Sequence, residues 1–228
     1  MNDMILWTKE SQNKKIHFTF EGKNITHQFL NLGEICKQPI GSTFFGISIG
    51  KSYFFEKENQ ITRFYEDTSA FSFTANKSIY WGTQNNLWAI IVENYNISLD
   101  LIINNIPNIG VLRYINGCTS TILIDPKRYG DPSLHYLNFP TNVKQTWHTH
   151  PSHRCGLVIR GKGFAETNSR ITLLTSGTVF TIYPDTNHRF ITTNEKMEIV
   201  TFHPWTEWGP VDEDHPMLNH TFRKDKYK

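Results

Sequence analysis

Short runs rich in β-branched and aromatic residues follow one another from residue 15 to residue 203, and helical periodicity is almost absent between them. That pattern restricts the chain to an all-β sandwich or barrel. The first series comprises Lys15–Phe20, Gly41–Ile49, Ser52–Phe55, Ala70–Thr74, Leu87–Glu93, Ile97–Ile103 and Gly110–Ile115. The second runs through Thr119–Ile124, Gln145–His150, Gly156–Arg160, Gly163–Thr167, Arg170–Leu174, Thr178–Tyr183, His188–Thr192 and Met197–His203. Gly161 and Gly163, and the run Thr175-Ser176-Gly177, supply the residues that tight hairpins require. Ile25–Cys36 is the one stretch long enough for a helix, and its apolar spacing is irregular. Asp125–Pro140, with Pro126, Gly130, Asp131 and Pro132, reads as an irregular connection between two β-domains. The division expected is residues 1–118 and residues 119–228; the alternative makes 1–118 extra strands that extend or cap a single barrel.

With 14% aromatic and 19% charged residues the chain suits a packed globular protein, and no apolar run approaches the ~20 residues that span a bilayer. The N-terminal residues lack a basic segment followed by an apolar stretch, so a cytoplasmic protein with no membrane partner is expected. Cys36, Cys118 and Cys155 are odd in number and far apart, which favours reduced thiols over a disulfide framework. A formal charge of +2 and scattered basic residues argue against nucleic acid as a partner. The basic tail Arg223–Lys228 reads as a solvated terminus.

Only His17 and His27 precede the connection, whereas His135, His148, His150, His153, His188, His203, His215 and His220 lie within or after it. Metal chemistry therefore belongs to the second half. In Trp147-His148-Thr149-His150 the two imidazoles stand two residues apart at the end of a strand-like run, so an extended backbone turns both to one face. One ion could be gripped by both; two histidines facing water by chance are the alternative.

In chain order the second half reads His148-Thr149-His150, three residues, Arg154, six residues, Gly161, and then Gly177, five residues, Tyr183-Pro184-Asp185, two residues, His188. This resembles the two-part signature of the cupin superfamily, in which a His-x-His, a Glu and a Gly form the first motif and another His closes the second. The resemblance implies a double-stranded β-helix, or jelly-roll barrel, in which His148, His150 and His188 are metal ligands. It also implies a bicupin whose N-terminal barrel is degenerate and lacks metal ligands. Arg154 stands at the position of the usual ligating Glu, Tyr183 replaces a common Pro, and Asp185 takes a turn position often held by Gly. A guanidinium has no lone pair to offer a cation, so the set resembles that of three-His cupins, among them thiol dioxygenases and diketone-cleaving enzymes.

Turned inward, Arg154 would meet an anionic substrate through a fork of two hydrogen bonds. Turned outward, it would find a surface acid, or pair with Asp185 or Glu166. Strand alternation directs Cys155 to the face opposite Arg154, as a small core residue. The aromatic, acidic stretch Phe202–Met217 either folds over the barrel mouth, with Trp205 or Trp208 lining the pocket, or packs its indoles outside. His215 with Asp212 or Asp214 is a further metal candidate that no spacing rule supports.

The expected function is that of a non-haem Fe(II) dioxygenase or oxygenase acting on a small anionic substrate. In it Arg154 steers the substrate and Tyr183 donates a hydrogen bond to oxygen. Imidazole also suits Zn, Mn, Ni or Cu, which leaves a non-redox lyase or isomerase open, as it does a non-catalytic cupin that binds a small molecule. A homodimer is the default assembly.

Overall fold

The computed structural model describes residues 3–8, 15–30, 35–38, 40–49, 52–56, 61–65, 68–75, 79–83, 87–95, 100–215 and 217. The basic tail and His220 lie outside them, as does the side chain of Cys36. In chain order the strands of the first half are β1 (Met4–Thr8), β2 (Lys15–Phe20), β3 (Lys23–Leu30), β4 (Ile35–Gln38), β5 (Thr43–Ser48) and β6 (Ser52–Glu56). They continue as β7 (Ile61–Tyr65), β8 (Ser69–Thr74), β9 (Ile79–Thr83), β10 (Leu87–Val92), β11 (Leu101–Ile103) and β12 (Leu112–Arg113). A 3-10 turn, Ile115–Gly117, leads into β13 (Thr119–Ile124), β14 (Ser133–Phe139) and β15 (Arg154–Thr167). The chain then forms β16 (Ile171–Thr175), β17 (Thr178–Ile182), β18 (His188–Ile191) and β19 (Met197–His203).

The all-β expectation holds, and three local expectations are corrected. Of the possible helix at Ile25–Cys36, the described residues are strand: β3 pairs on both sides, with β2 and with β10, and Ile35 and Cys36 begin β4. Asp125–Pro140 is not wholly irregular, because its last part is β14, which sits between β13 and β19. The Gly161 region is not a hairpin. Gly161 takes φ +75° inside the long β15, just past a register shift between Val158 and Arg160. A Cβ there would lie 2.0 Å from the Lys196 carbonyl oxygen, so a glycine lets the strand bend at a bulge and change partners. Its first part pairs with β17 and β19, and its last part with β16 and β18.

The strands form a 9-stranded sheet ordered β1-β17-β15-β19-β14-β13-β12, with β16 and β18 added on β15. Beside it are a 6-stranded sheet, β11-β8-β5-β10-β3-β2, and a 4-stranded sheet, β4-β9-β6-β7. Two strands of the first half, β1 and β12, belong to the sheet of the second half: Met4–Thr8 runs antiparallel to β17, and Leu112–Arg113 to β13.

Strand alternation explains how these sheets pack. In β10, Trp88, Ile90 and Val92 join a core with Cys155, Leu157, Val179, Val200 and Phe202 of the large sheet, while Leu87, Ala89 and Ile91 face a separate core with Phe44, Phe71 and Phe73. Every residue of β5, β8 and β10 is therefore buried. Each fully covered Val, Leu, Ile or Phe contributes about 1.5–3 kcal/mol. On its other face the large sheet sends Val158, Phe180, Ile182, Phe190 and Ile199 into a third core, and the candidate site opens above that core.

Candidate metal site

His148 lies on an extended segment that runs antiparallel to β18. The amide of Gln145 donates to the Phe190 carbonyl (3.0 Å), and His148 and His188 exchange amide–carbonyl bonds of 3.0 Å in both directions. The expected strand Gln145–His150 thus takes the form of isolated bridges at Lys144 and His148. Asp185, at φ 57°, makes the left-handed turn that brings His188 back, and its amide donates to the His150 carbonyl (2.8 Å).

This pairing brings the three imidazoles together: their ligating nitrogens lie within 4.8 Å of one another. Ring centroids are 4.5 Å apart for His148 and His188, 5.2 Å for His148 and His150, and 5.3 Å for His150 and His188. Two of the rings carry the same local device. His148 Nδ1 meets the Thr146 carbonyl at 2.9 Å, and His188 Nδ1 meets the Thr186 carbonyl at 2.7 Å. A carbonyl can only accept, so each Nδ1 bears a proton and Nε2 is the nitrogen left to meet a cation. Burial, with Arg154 adding to it, pulls the His150 pKa down to about 2, and burial takes His188 to about 4. Both rings are therefore neutral donors at neutral pH, and the donor set fits a first-row divalent ion.

The three histidines open into a cavity of about 280 Å³, near the small end of the range for small-molecule sites. Leu137, Phe180, Ile182, Phe190 and Ile199 form its apolar wall. Arg154 lines it too, so it is inward. Its Nη1 donates to Ser152 Oγ (2.5 Å) and to the carbonyls of Ser152 and His153, while its Nε is buried without a hydrogen-bond partner among the described residues. Burial lowers its pKa to about 10, which leaves it charged at neutral pH. Glu166 does not pair with it; that carboxylate holds Arg189 at 2.6 Å, and Trp147 stacks over the same guanidinium at 4.4 Å.

Tyr183 is not brought to the site. Phe180 and Ile182 face the cavity, so strand parity turns residue 183 the other way, and its ring rests against His153 (5.5 Å). His153 also lies outside, stacked on Phe18 at 4.1 Å. Cys155 points to the core between the sheets, where burial pushes its thiol up to about 12. Cys118 and Cys155 are both free and buried.

Trp205, Thr206, Glu207 and Trp208 line the same cavity, so both indoles of this stretch border the pocket. Thr206 Oγ1 lies 3.0 Å from the Asp131 carbonyl and 2.9 Å from that of Trp208, and the Tyr129 amide donates to the Pro210 carbonyl (3.0 Å). His215 joins no metal cluster among the described residues; its Nδ1 accepts the Met217 amide (3.1 Å).

Among the cavity residues that sequence reasoning missed are two histidines, His135 and His203. The usable signal was a hydroxyl-x-His pattern on each strand, Ser133-x-His135 and Thr201-x-His203.

Residues 129–206 match the sequence profile of the AraC-like ligand binding domain. A search of curated proteins finds no match. Among solved structures, the chain is similar to a putative glyoxylate-induced protein from Pseudomonas aeruginosa, with TM-score 0.61 and 12% identity over 92% of this chain and 83% of that one. It is similar to a cupin 2 conserved barrel domain protein from Leptotrichia buccalis, with TM-score 0.59 and 15% identity over 87% and 88%. A salicylate 1,2-dioxygenase from Pseudaminobacter salicylatoxidans follows, with TM-score 0.58 and 7% identity over 88% and 84%. At these identities the likeness is one of fold. Together with the profile match over residues 129–206, it gives this chain a cupin-type barrel fold.

Proposed function

We propose that the chain is a metal-dependent cupin enzyme, a non-haem Fe(II) dioxygenase that acts on a small anionic substrate. The observation that carries this reading is the convergence of three imidazoles in a small cavity that also holds a buried, incompletely bonded guanidinium. Fe(II) on His148, His150 and His188 would supply the redox chemistry and activate oxygen. Three neutral ligands leave its charge uncompensated, and Arg154 adds another positive charge, so the cavity favours an anion. A carboxylate would satisfy the free Nε of Arg154, and the apolar wall would exclude water from the rest of the substrate. The division expected from sequence fits this reading, with residues 1–118 as a degenerate barrel without metal ligands and 119–228 carrying the site. Tyr183 has no part in it.

Anaerobically purified protein reconstituted with Fe(II) should consume oxygen when small carboxylates are added, and His188→Ala protein should not. A second reading, a cupin that binds a ligand without turning it over, draws support from the match to a ligand binding domain. Saturable binding with no oxygen uptake and no product under any metal would favour it. A lyase or isomerase using Zn, Mn or Ni would instead form product without oxygen.

A further inference from the structure

Across the β14–β19 pairing, Ser133 stands opposite His203 and His135 stands opposite Thr201. The two histidines are diagonal neighbours on one face, and their rings stack with centroids 4.2 Å apart and planes 17° from parallel. Each ring is held through Nε2 by a hydroxyl on its own strand, His135 by Ser133 Oγ at 2.7 Å and His203 by Thr201 Oγ1 at 3.3 Å. Neither Nδ1 has a hydrogen bond to any described residue, and both rings line the cavity that contains Arg154 and the metal-ligand cluster. A serine or threonine hydroxyl can donate or accept. Either tautomer of each imidazole is therefore satisfied at Nε2, which frees Nδ1 to accept from a hydroxyl or donate to a carbonyl. Burial and the Arg154 charge hold His135 near pKa 4 and His203 well below its ordinary value. The pair is thus uncharged at neutral pH and suits a neutral oxygen group better than a second anion.

We propose that His135 and His203 form a second recognition pole in this cavity, which makes its ligand a small hydroxy- or oxo-carboxylate. The carboxylate meets Arg154, and the second oxygen meets the two free Nδ1 atoms. This rests on the reading above for the carboxylate and goes beyond it for the second group. Placed on adjacent strands, the pair selects by hydrogen-bond pattern, a form of discrimination that rejects analogues lacking the oxygen.

The test uses the 228-residue chain loaded with Zn(II), which is redox-silent, and calorimetric binding of pentanoate against 3-hydroxy-, 4-hydroxy- and 4-oxopentanoate. At least one oxygenated acid should bind tenfold or more tighter than pentanoate. His135→Phe and His203→Phe should each abolish that gain, read as the ratio to pentanoate affinity in the same variant. His203→Gln keeps a hydrogen-bonding group, should retain part of the gain, and serves where the Phe variant does not fold. The proposal is overturned if all four acids bind alike, or if the gain survives in the folded Phe variants or vanishes in folded His203→Gln. Should pentanoate itself fail to bind, or bind Arg154→Gln protein equally well, the carboxylate reading fails as well, and the two failures are thereby distinguished.

Discussion

At the scale of single residues, the site depends on which nitrogen of each imidazole carries the proton. The carbonyls of Thr146 and Thr186 settle this for His148 and His188, and the chain supplies both from two residues upstream. Arg154 acts on a different partner, so its removal should separate the two functions. Arg154→Gln protein should bind metal as the wild type does and lose tenfold or more in carboxylate affinity, about 1.4 kcal/mol or more. Equal carboxylate affinity in isothermal titration would show that the guanidinium does not meet the ligand. Gly156 guards the cavity floor: a Cβ there would lie 2.2 Å from the Phe180 ring, which lines the cavity. Gly156→Ala should therefore destabilise the protein by about 1–3 kcal/mol in urea unfolding, through overpacking. An unchanged midpoint would mean that the ring has room to move. Tyr183 shows how easily one residue of strand parity misplaces a candidate.

At the scale of elements, β1 reaches the site through the turn after β17. The Asp3 carbonyl accepts from the Tyr183 amide and from Thr186 Oγ1, both at 3.3 Å, and Thr186 in turn orients His188. Arg170 also donates to the Met4 carbonyl. Deleting residues 1–8 should loosen that turn and weaken metal affinity about 10-fold or more, the usual cost of losing a group that orients a ligand. Competition with a chromogenic chelator measures this directly, and an unchanged affinity would make β1 a bystander. The three-histidine cluster was legible in the sequence because His-x-His and the later His carry local spacing. His135 and His203 were not, because their relation exists only once β14 and β19 pair, and prolines and glycine around β14 disguised it as a connection. Gly161 was equally ambiguous, since a positive φ serves a hairpin turn and a bulge alike.

At the scale of the molecule, the two halves are joined by an apolar core crossed by one polar chain. The Trp88 indole donates to His27 Nε2, so His27 Nδ1 carries the proton and donates to Thr181 Oγ1 (3.0 Å), which in turn lies 3.7 Å from Cys155 Sγ. Burial drops the His27 pKa to about 3, against an ordinary value near 6.5. Between those values the unfolded chain takes up a proton that the native chain refuses. Stability is therefore intact above about pH 6.5 and is lost as pH falls below it, by up to about 1.4 kcal/mol per pH unit for this histidine. His188, fully buried as well, shifts in the same direction. Urea unfolding of metal-free protein should show a loss of stability between pH 7 and pH 5, and His27→Gln protein should lose on the order of 2 kcal/mol less over the same range. Equal stability at the two pH values would show that His27 is not held neutral. The all-β class was legible from composition and segment length, whereas the insertion of β1 into the sheet of the second half follows from tertiary pairing that no local pattern encodes.

The central claim is that His148, His150 and His188 share one cation. Metal-free protein titrated with Co(II) and followed by its ligand-field absorption, with X-ray absorption counting the nitrogen donors, tests it most directly. One equivalent per chain, three imidazole nitrogens, and loss of binding in each of His148→Ala, His150→Ala and His188→Ala are predicted. Wild-type affinity in any of the three, or no binding in the parent, would contradict the account.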